Sequence, residues 1–382
     1  MKSLKKSFIY ILLSLAIIFN LGINLGQTYA IEYTPETNTK ASILIDMDSG
    51  EILHESNSTT RMPVASIVKL MTIMLTFENI EAGAISLDDK VMVSENASGM
   101  GGSQIFLDAN CEYELGELLK SVIVCSANDS SVALAEHISG SESSFVSIMN
   151  KRASEMGLEN TNYINCTGLP ADNQYSCALD VSQILKNVLS YEKYHEYSSI
   201  WLEDFEHPSG RTTEMTNTNR LSRYYDGCIG GKTGSTNEAG YCLAVGARRN
   251  NLSLISVVLG ANTTKDRFKS ASDLLNYGFA NYENHVVDVS DVVNISYKGE
   301  RPLKIKIDGT CNVLIEKGQV PNYTINYYAP TKVSKCKLGQ ELGYIEIVID
   351  NNIYSTLKIL ADEQIDEPSF GDNLKDIYKD FI

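Results

Sequence analysis

Residues 66–78 are the stretch that decides the fold, and they read Ser-Ile-Val-Lys-Leu-Met-Thr-Ile-Met-Leu-Thr-Phe-Glu. Apolar side chains fall on nearly every side of a helix through this run, which is the pattern of a helix buried in a core. Pro63 lies just upstream, where the entry to a helix tolerates proline. The run therefore predicts a central buried helix, with Ser66 at its start and Lys69 one turn later.

The sequence on both sides of this helix alternates between strand-like and helix-like runs. Two hairpins are predicted, because Met47–Gly50 and Asn250-Asn251 are turn sequences between β-branched runs. The predicted strands are Ala41–Asp46, Glu51–Glu55, Tyr241–Arg248 and Leu252–Gly260, and the predicted helices are Leu115–Val124, Ser131–Ile138, Ser144–Met156, Leu179–Leu189 and Phe268–Tyr282. Hairpins that are distant in sequence but join in one sheet indicate an α+β fold, an antiparallel sheet covered by helices.

Beyond His285 the pattern changes to short β-branched or alternating runs, which predict a small C-terminal all-β domain. These runs are Val286–Tyr297, Leu303–Ile307, Asn312–Glu316, Tyr323–Tyr328 and Tyr344–Ile349. A length of 382 residues is also typical of about two domains. We expect four segments: a signal peptide over residues 1–30, a main domain over 31–284, a β-rich domain over 285–368 and a short amphipathic tail over 369–382.

Both ends of the chain carry apolar patterns that concern localisation. Lys2, Lys5 and Lys6 precede an apolar run, and a small residue, Ala30, follows it, so we expect an exported, extracytoplasmic protein cleaved after Ala30. The alternative is that the segment is retained as an anchor. The tail places four apolar residues on one helical face, which predicts either weak contact with a membrane surface or ordinary packing. They are Phe370, Leu374, Ile377 and Phe381.

Charge and cysteine content argue against a nucleic-acid-binding protein and against a metal-binding protein. The formal net charge is −16, whereas nucleic acids and anionic lipid surfaces require clusters of Lys and Arg, so no nucleic-acid partner is expected. The eight cysteines include no pair at zinc-binding spacing, and the five histidines are scattered. We therefore expect no metal site, and structural or unreactive thiols.

The pair Ser66 and Lys69 is the first candidate for chemistry. Residues three apart on a helix share a face, so the lysine amine reaches the serine hydroxyl. A serine becomes nucleophilic when a base takes its proton, and a lysine is such a base only when burial lowers its pKa. The apolar run provides that burial. Other Ser-x-x-Lys sequences, such as Ser190 to Lys193, lack this apolar surrounding.

Two further motifs follow in order, Ser126-Ala127-Asn128 and Lys232-Thr233-Gly234. The first is predicted to lie in a turn between helices, where a hydroxyl can relay a proton and an amide can bind a peptide backbone. The second begins a predicted strand, whose edge can pair with an extended substrate and bind its carboxylate. Arg267 is a second candidate ligand for that anion.

The three motifs in this order resemble those of the active-site serine penicillin-recognising enzymes. The surrounding stretches are similar to the low-molecular-mass penicillin-binding proteins, which are serine-type D-alanyl-D-alanine carboxypeptidases. These stretches are Arg61–Ser66, Gly102–Phe106, Ala127–Asp129, Asn165–Pro170, Asn217–Leu221 and Lys232–Tyr241. The resemblance extends from about Ala41 to Asn284, and the trailing β domain with its amphipathic tail also fits.

The resemblance implies a role for each matching residue. Ser66 attacks the carbonyl between the two terminal D-alanines of a peptidoglycan pentapeptide, Lys69 accepts its proton, and Ser126 passes a proton to the departing D-alanine. Asn128 holds the substrate backbone, while the strand Lys232-Thr233-Gly234-Ser235 and Arg267 bind the terminal carboxylate. The backbone N–H groups of Ser66 and Ser235 bind the oxyanion. It also implies inhibition by β-lactam antibiotics, which acylate Ser66, and no cofactor.

Some departures and alternatives remain open at this point. Thr167-Gly168-Leu169 stands where many members carry His-Gly-Leu, and Cys125 adjoins Ser126, where an oxidised thiol would disturb proton relay. The same residues would serve a β-lactamase, a D,D-endopeptidase or a transpeptidase. A non-enzymatic penicillin-binding scaffold of the cell wall is the alternative outside the enzymes.

Overall fold

The computed structural model describes residues 37–290, 292–298 and 301–366. The predicted signal peptide at 1–30 and the amphipathic tail at 369–382 lie outside these described residues. Within them, no helix is both long and apolar enough to cross a membrane.

The first part of the chain places strands at its two ends and helices between them. The strands are β1 (Ala41–Asp46), β2 (Ile52–Ser56), β3 (Lys90–Met92), β4 (Glu112–Glu114), β5 (Leu202–Glu206), β6 (Thr212–Thr216), β7 (Cys228–Thr236), β8 (Gly240–Arg249) and β9 (Leu252–Ala261). The helices are α1 (Lys69–Glu81), α2 (Glu95–Ser98), α3 (Leu115–Val124), α4 (Asn128–Ser139), α5 (Glu142–Glu155), α6 (Ala178–Val188), α7 (Glu192–Ser199), α8 (Leu221–Tyr224) and α9 (Thr264–Asn281).

The predicted antiparallel sheet is confirmed, with strand order β2-β1-β9-β8-β7. The two ends of this part of the chain meet in its centre, where Ile43 of β1 pairs with Val257 of β9. At one edge, β7 pairs with β8, Lys232 lying opposite Ala244. Among the described residues β7 is paired with a strand on one side only, which makes it an edge strand of the sheet.

Helix α1 is the centre of the helical layer, as the sequence predicted. All nine residues from Lys69 to Phe77 are buried. The predicted helix start at Ser66 was wrong in one respect, because Ala65–Val68 forms a 3₁₀ turn and the α-helix begins at Lys69. Ala65 has φ +50°, a left-handed conformation that turns the chain sharply into the helix.

The C-terminal part is β-rich, as predicted, and the predicted strand Asn312–Glu316 is confirmed, but other strands differ from the expected ones. They are β10 (Tyr282–Val286), β11 (Ser296–Tyr297), β12 (Arg301–Pro302), β13 (Ile305–Asp308), β14 (Asn312–Glu316), β15 (Thr324–Tyr328), β16 (Lys332–Val333), β17 (Glu341–Ile349) and β18 (Asn352–Ala361). The predicted strand Val286–Tyr297 is mostly irregular. Val287 and Ile295 are buried in the C-terminal hydrophobic cluster, but the backbone around them does not form a regular β-strand. The long strand β18 was not predicted.

This C-terminal part has its own hydrophobic cluster, built around Ile345, Ile347 and Ile359. Strand β10 spans the predicted boundary between residues 284 and 285 and pairs with β14. The division into domains therefore stays a prediction.

The burial of α1 gives a stability prediction. Ile73 is completely buried, so Ile73→Ala leaves a cavity and is expected to lower the free energy of unfolding by about 2–5 kcal/mol. Urea denaturation followed by circular dichroism measures this. Ile148→Ala on α5 is the matched control, because Ile148 is 37% exposed and its truncation costs less. Equal losses in the two variants would contradict the central position of α1.

Candidate active site

The side chains of Ser66 and Lys69 meet as the sequence predicted. Lys69 Nζ lies 2.9 Å from Ser66 Oγ and 2.5 Å from the carbonyl oxygen of Thr167. The 3₁₀ turn and the first residue of α1 bring them together, because three residues make one turn of a 3₁₀-helix. The amine is thus held between a hydroxyl and a carbonyl oxygen.

Burial controls the charge of this amine. Lys69 is completely buried, and loss of hydration lowers its pKa from 10.5 to about 7. The nearby groups Cys166, Cys125 and Asp129 act in the opposite direction but do not overcome burial. A large fraction of Lys69 is therefore neutral near pH 7 and able to accept a proton from Ser66.

Ser126 lies in the short connection between α3 and α4 and contacts the third motif. Its Oγ accepts a hydrogen bond from Lys232 Nζ at 2.7 Å. The serine has φ +67°, a conformation that non-glycine residues seldom adopt and that occurs at functional turns. The turn is shorter than the predicted Cys125–Ser130, because α4 begins at Asn128.

Asn128 is held in place by the loop of residues 101–107, which passes beside it. Its backbone N–H donates to Ser103 O at 2.7 Å, and its Nδ2 donates to Gly101 O at 2.6 Å. Its Oδ1 is buried and has no hydrogen-bond partner in the described part of the chain. This oxygen is therefore available to accept an N–H group from a bound peptide.

The loop itself is held by the buried carboxylate of Asp129. Its Oδ2 accepts hydrogen bonds from the N–H groups of Ile105 and Leu107, each at 3.1 Å. Burial raises the pKa of Asp129, and the backbone hydrogen bonds act against that effect. The loop that fixes Asn128 is thus tied to the same helix, α4.

Strand β7 passes directly beside Ser66. A Cβ atom added at Gly234 would lie 3.0 Å from the backbone nitrogen of Ser66 and 2.7 Å from Val64 O, so only glycine allows this approach. Ser235, the next residue, is exposed. Ser66 N–H and the β7 backbone after Gly234 therefore border the same space.

The cations of the site come from β7 and α9. Lys232 is 1% exposed, and burial, followed by the nearby Lys69, lowers its pKa well below the ordinary value. Arg267 is also buried, with Nη1 donating to Gly234 O at 3.2 Å, and its Nε has no partner among the described residues. The side chain lies over the ring of Phe268. Lys232 on β7 and Arg267 on α9 thus place two buried basic side chains in the site, an arrangement suited to a carboxylate.

Three site features lay outside the candidate residues predicted from the sequence. Thr233 Oγ1 donates to Thr218 Oγ1 at 2.8 Å, which adds a hydroxyl beside the anion-binding strand. The Thr167 carbonyl anchors Lys69. Gly168 has φ +81°, and a Cβ there would lie 2.0 Å from Ala65 O, so this loop packs directly against the turn that carries Ser66. The glycine between Asn165 and Pro170 is the one feature of the sequence that could have indicated this close approach.

Cys125, adjacent to Ser126, is a thiol in this structure, as are the other seven cysteines. Its Sγ donates to Ser121 O at 3.2 Å, and burial raises its pKa to about 12. Such a thiol is protonated and poorly nucleophilic at neutral pH. Among the described residues, no group of three or more His, Cys, Asp or Glu side chains could hold a metal ion.

Comparison with known proteins connects this geometry to a family. The family model described as D-alanyl-D-alanine carboxypeptidase matches residues 28–263. The chain is 35% identical to D-alanyl-D-alanine carboxypeptidase DacF of Bacillus subtilis over 88% of each chain, and 31% identical to DacC of Escherichia coli over 90% of this chain and 88% of that protein. The structure of penicillin-binding protein 5 from Haemophilus influenzae aligns with a TM-score of 0.68 at 31% identity, covering 88% of this chain and 99% of that one.

The family model covers more than half of the chain, and the relatives match along most of its length. The fold agrees with that of the solved penicillin-binding proteins. The chain therefore belongs to the D-alanyl-D-alanine carboxypeptidase family, the serine peptidases among the low-molecular-mass penicillin-binding proteins.

Proposed function

We propose that this serine D-alanyl-D-alanine carboxypeptidase removes the terminal D-alanine of peptidoglycan stem peptides through an ester on Ser66, with Lys69 as the base. The observation that carries this proposal is the contact of 2.9 Å between Ser66 Oγ and a buried amine whose pKa is about 7. An amine with this pKa removes a proton readily at neutral pH.

In the acylation step, Ser66 Oγ attacks the carbonyl carbon of the penultimate D-alanine while its proton moves to Lys69 Nζ. The resulting oxyanion accepts hydrogen bonds from the N–H groups of Ser66 and Ser235. When the C–N bond breaks, the leaving nitrogen gains a proton from Ser126 Oγ. The proton taken by Lys69 replaces the one lost by Ser126, so Lys69 is neutral again.

In the second step water hydrolyses the ester. Lys69 takes a proton from the water, whose oxygen attacks the ester carbonyl, and returns that proton to Ser66 Oγ as the ester bond breaks. Lys232, Thr233 and Arg267 hold the terminal carboxylate of the substrate, and Asn128 holds its backbone. β-Lactams bind at the same site and acylate Ser66. Export directed by residues 1–30 and weak membrane contact through the tail are part of the proposal.

The first test is release of D-alanine from diacetyl-L-Lys-D-Ala-D-Ala. Ser66→Ala is expected to abolish release and to prevent the mass increase caused by benzylpenicillin, because it removes the hydroxyl that lies 2.9 Å from the Lys69 amine. Ser190→Ala is the matched control, since Ser190 begins an exposed Ser-x-x-Lys sequence, and it is expected to retain full activity. Release by the Ser66→Ala variant would refute the proposed nucleophile. Rapid loss of the penicillin adduct without D-alanine release would indicate a β-lactamase.

The pH dependence follows from the lowered pKa of Lys69. Its neutral form increases as pH rises through about 7, so kcat/KM is expected to rise with pH and level off above about 8. Steady-state kinetics between pH 5 and 9 measures the profile. Lys69→Arg stays protonated throughout and is expected to be inactive at every pH. A wild-type profile that is flat below pH 8 would contradict Lys69 as the base.

The contact between Gly168 and Ala65 gives a third prediction. Gly168→Ala forces the Ser66 turn to move and is expected to slow acylation by benzylpenicillin by about tenfold or more, because small displacements of reacting groups are costly. Gly140→Ala is the matched control. Gly140 also has a positive φ, +79°, but a Cβ there meets no atom within 4 Å. Equal acylation rates in the two variants would show that the contact does not position Ser66.

A further inference from the structure

The antiparallel hairpin formed by β5 and β6, residues 202–216, is fixed to the active site at its base. The chain that leaves β6 reaches Thr218, whose backbone N–H donates to Val124 O at 3.1 Å, two residues before Ser126. The Thr218 hydroxyl accepts a hydrogen bond from Thr233 on the anion-binding strand. The base of the hairpin therefore contacts both the Ser126 turn and β7.

The body of the hairpin packs into the main hydrophobic core. Phe205 of β5 and Met215 of β6 are buried there, and the Phe205 ring stacks on Tyr113 with their centroids 5.8 Å apart. This burial holds the two strands in place independently of the polar side chains at the tip. A substitution of an exposed residue at the tip therefore leaves the hairpin folded.

The tip of the hairpin binds the loop of residues 101–107. Arg211 Nη2 donates to Phe106 O at 2.5 Å and to Asp108 Oδ1, just beyond the loop, at 3.2 Å. Thr213 Oγ1 donates to Ile105 O at 3.1 Å. Two side chains of the hairpin thus hold two successive carbonyl groups of the loop.

A buried histidine keeps these donors oriented. Because the Thr213 hydroxyl gives its proton to Ile105 O, His207 Nε2 is the donor in the contact of 2.9 Å that it makes with Thr213 Oγ1. His207 Nδ1 then accepts from the Tyr113 hydroxyl at 3.1 Å. Burial, followed by the nearby Arg211, lowers the pKa of His207, which favours this neutral form.

The backbone of the loop is strained where the tip binds it. Phe106 has φ +63°, which is rare for a bulky residue, and its side chain is 55% exposed. The neighbouring N–H groups of Ile105 and Leu107 bind Asp129, while the Phe106 carbonyl binds Arg211. Such strain persists only where the surroundings impose it, and it is concentrated at functional sites. The loop is therefore held from two sides in one conformation.

We propose that the β5–β6 hairpin is a brace that fixes the separation between Asn128 and Thr233 across the substrate site, with Arg211 as a positioning residue for Asn128. The loop of residues 101–107 transmits the effect, since its far end is held by the tip and its first residues accept both hydrogen bonds from Asn128. This inference rests on the proposed function, in which Asn128 holds the substrate backbone and Thr233 its carboxylate.

The test is steady-state release of D-alanine from diacetyl-L-Lys-D-Ala-D-Ala by Arg211→Ala. KM is expected to rise about fivefold, as for the loss of one hydrogen bond, with kcat changed by less than about twofold. The midpoint of the pH profile is expected to stay near 7, because the contact between Ser66 and Lys69 is kept. A lysine can still donate to Phe106 O, so Arg211→Lys is expected to recover part of the loss.

The matched control is Arg249→Ala, which is expected to keep the wild-type KM. Arg249 is 32% exposed against 41% for Arg211, and its Nε also donates to a backbone oxygen, that of Asp226, at 3.1 Å. It lies at the end of β8, over the rings of Tyr225 and Phe279. Both variants thus lose an arginine that binds a carbonyl group, but only one loses a contact with the loop.

Three results would overturn the brace: an unchanged KM in Arg211→Ala, even with a lower melting temperature; an equal rise of KM in Arg249→Ala; or a shifted pH midpoint. Absence of D-alanine release by the wild type would instead refute the proposed function. Acylation by benzylpenicillin then tests the brace separately, since Arg211→Ala is expected to be acylated about fivefold more slowly than the wild type at low antibiotic concentration. Equal acylation rates would contradict it.

Discussion

The amine of Lys69 is removed from water and shared between Ser66 Oγ and the Thr167 carbonyl oxygen. An isolated ammonium group is costly in such surroundings, so the site favours the uncharged amine. The rest of the site is arranged around keeping this one group dry, neutral and in contact with a hydroxyl.

The need to keep water away from the Lys69 amine explains why glycines occur where three segments meet. Gly234 lets the edge strand approach the Ser66 nitrogen, and Gly168 lets the loop approach Ala65. In both places a side chain would separate the backbones and admit water to the lysine. Helix α1 forms the other boundary, since its residues from Lys69 to Phe77 are all buried. The sheet, the loop and the helix thus enclose the amine from different directions.

Much of the fold and the candidate site could be predicted because their signals are local. The spacing of Ser66 and Lys69 within an apolar run, and the turn sequences of the two hairpins, depend on neighbouring residues alone. The Thr167 carbonyl and the Thr218 hydroxyl could not be predicted in this way. Every residue has a backbone carbonyl, so the sequence does not mark the one that contacts Lys69. Thr218 joins the site only because the fold brings its hydroxyl to Thr233. Strand predictions failed around Val287 because β-branched residues indicate burial as well as pairing.

The central claim is that Lys69 is a neutral base in the folded enzyme, and its pKa can be measured directly. The protein is labelled with [ε-¹³C]lysine, and its NMR spectrum is followed from pH 5 to 11, with Lys69→Ala used to assign the resonance. The account predicts a signal that titrates near pH 7 and is missing from the variant. A Lys69 signal that titrates near 10.5, as for a solvated lysine, would contradict it.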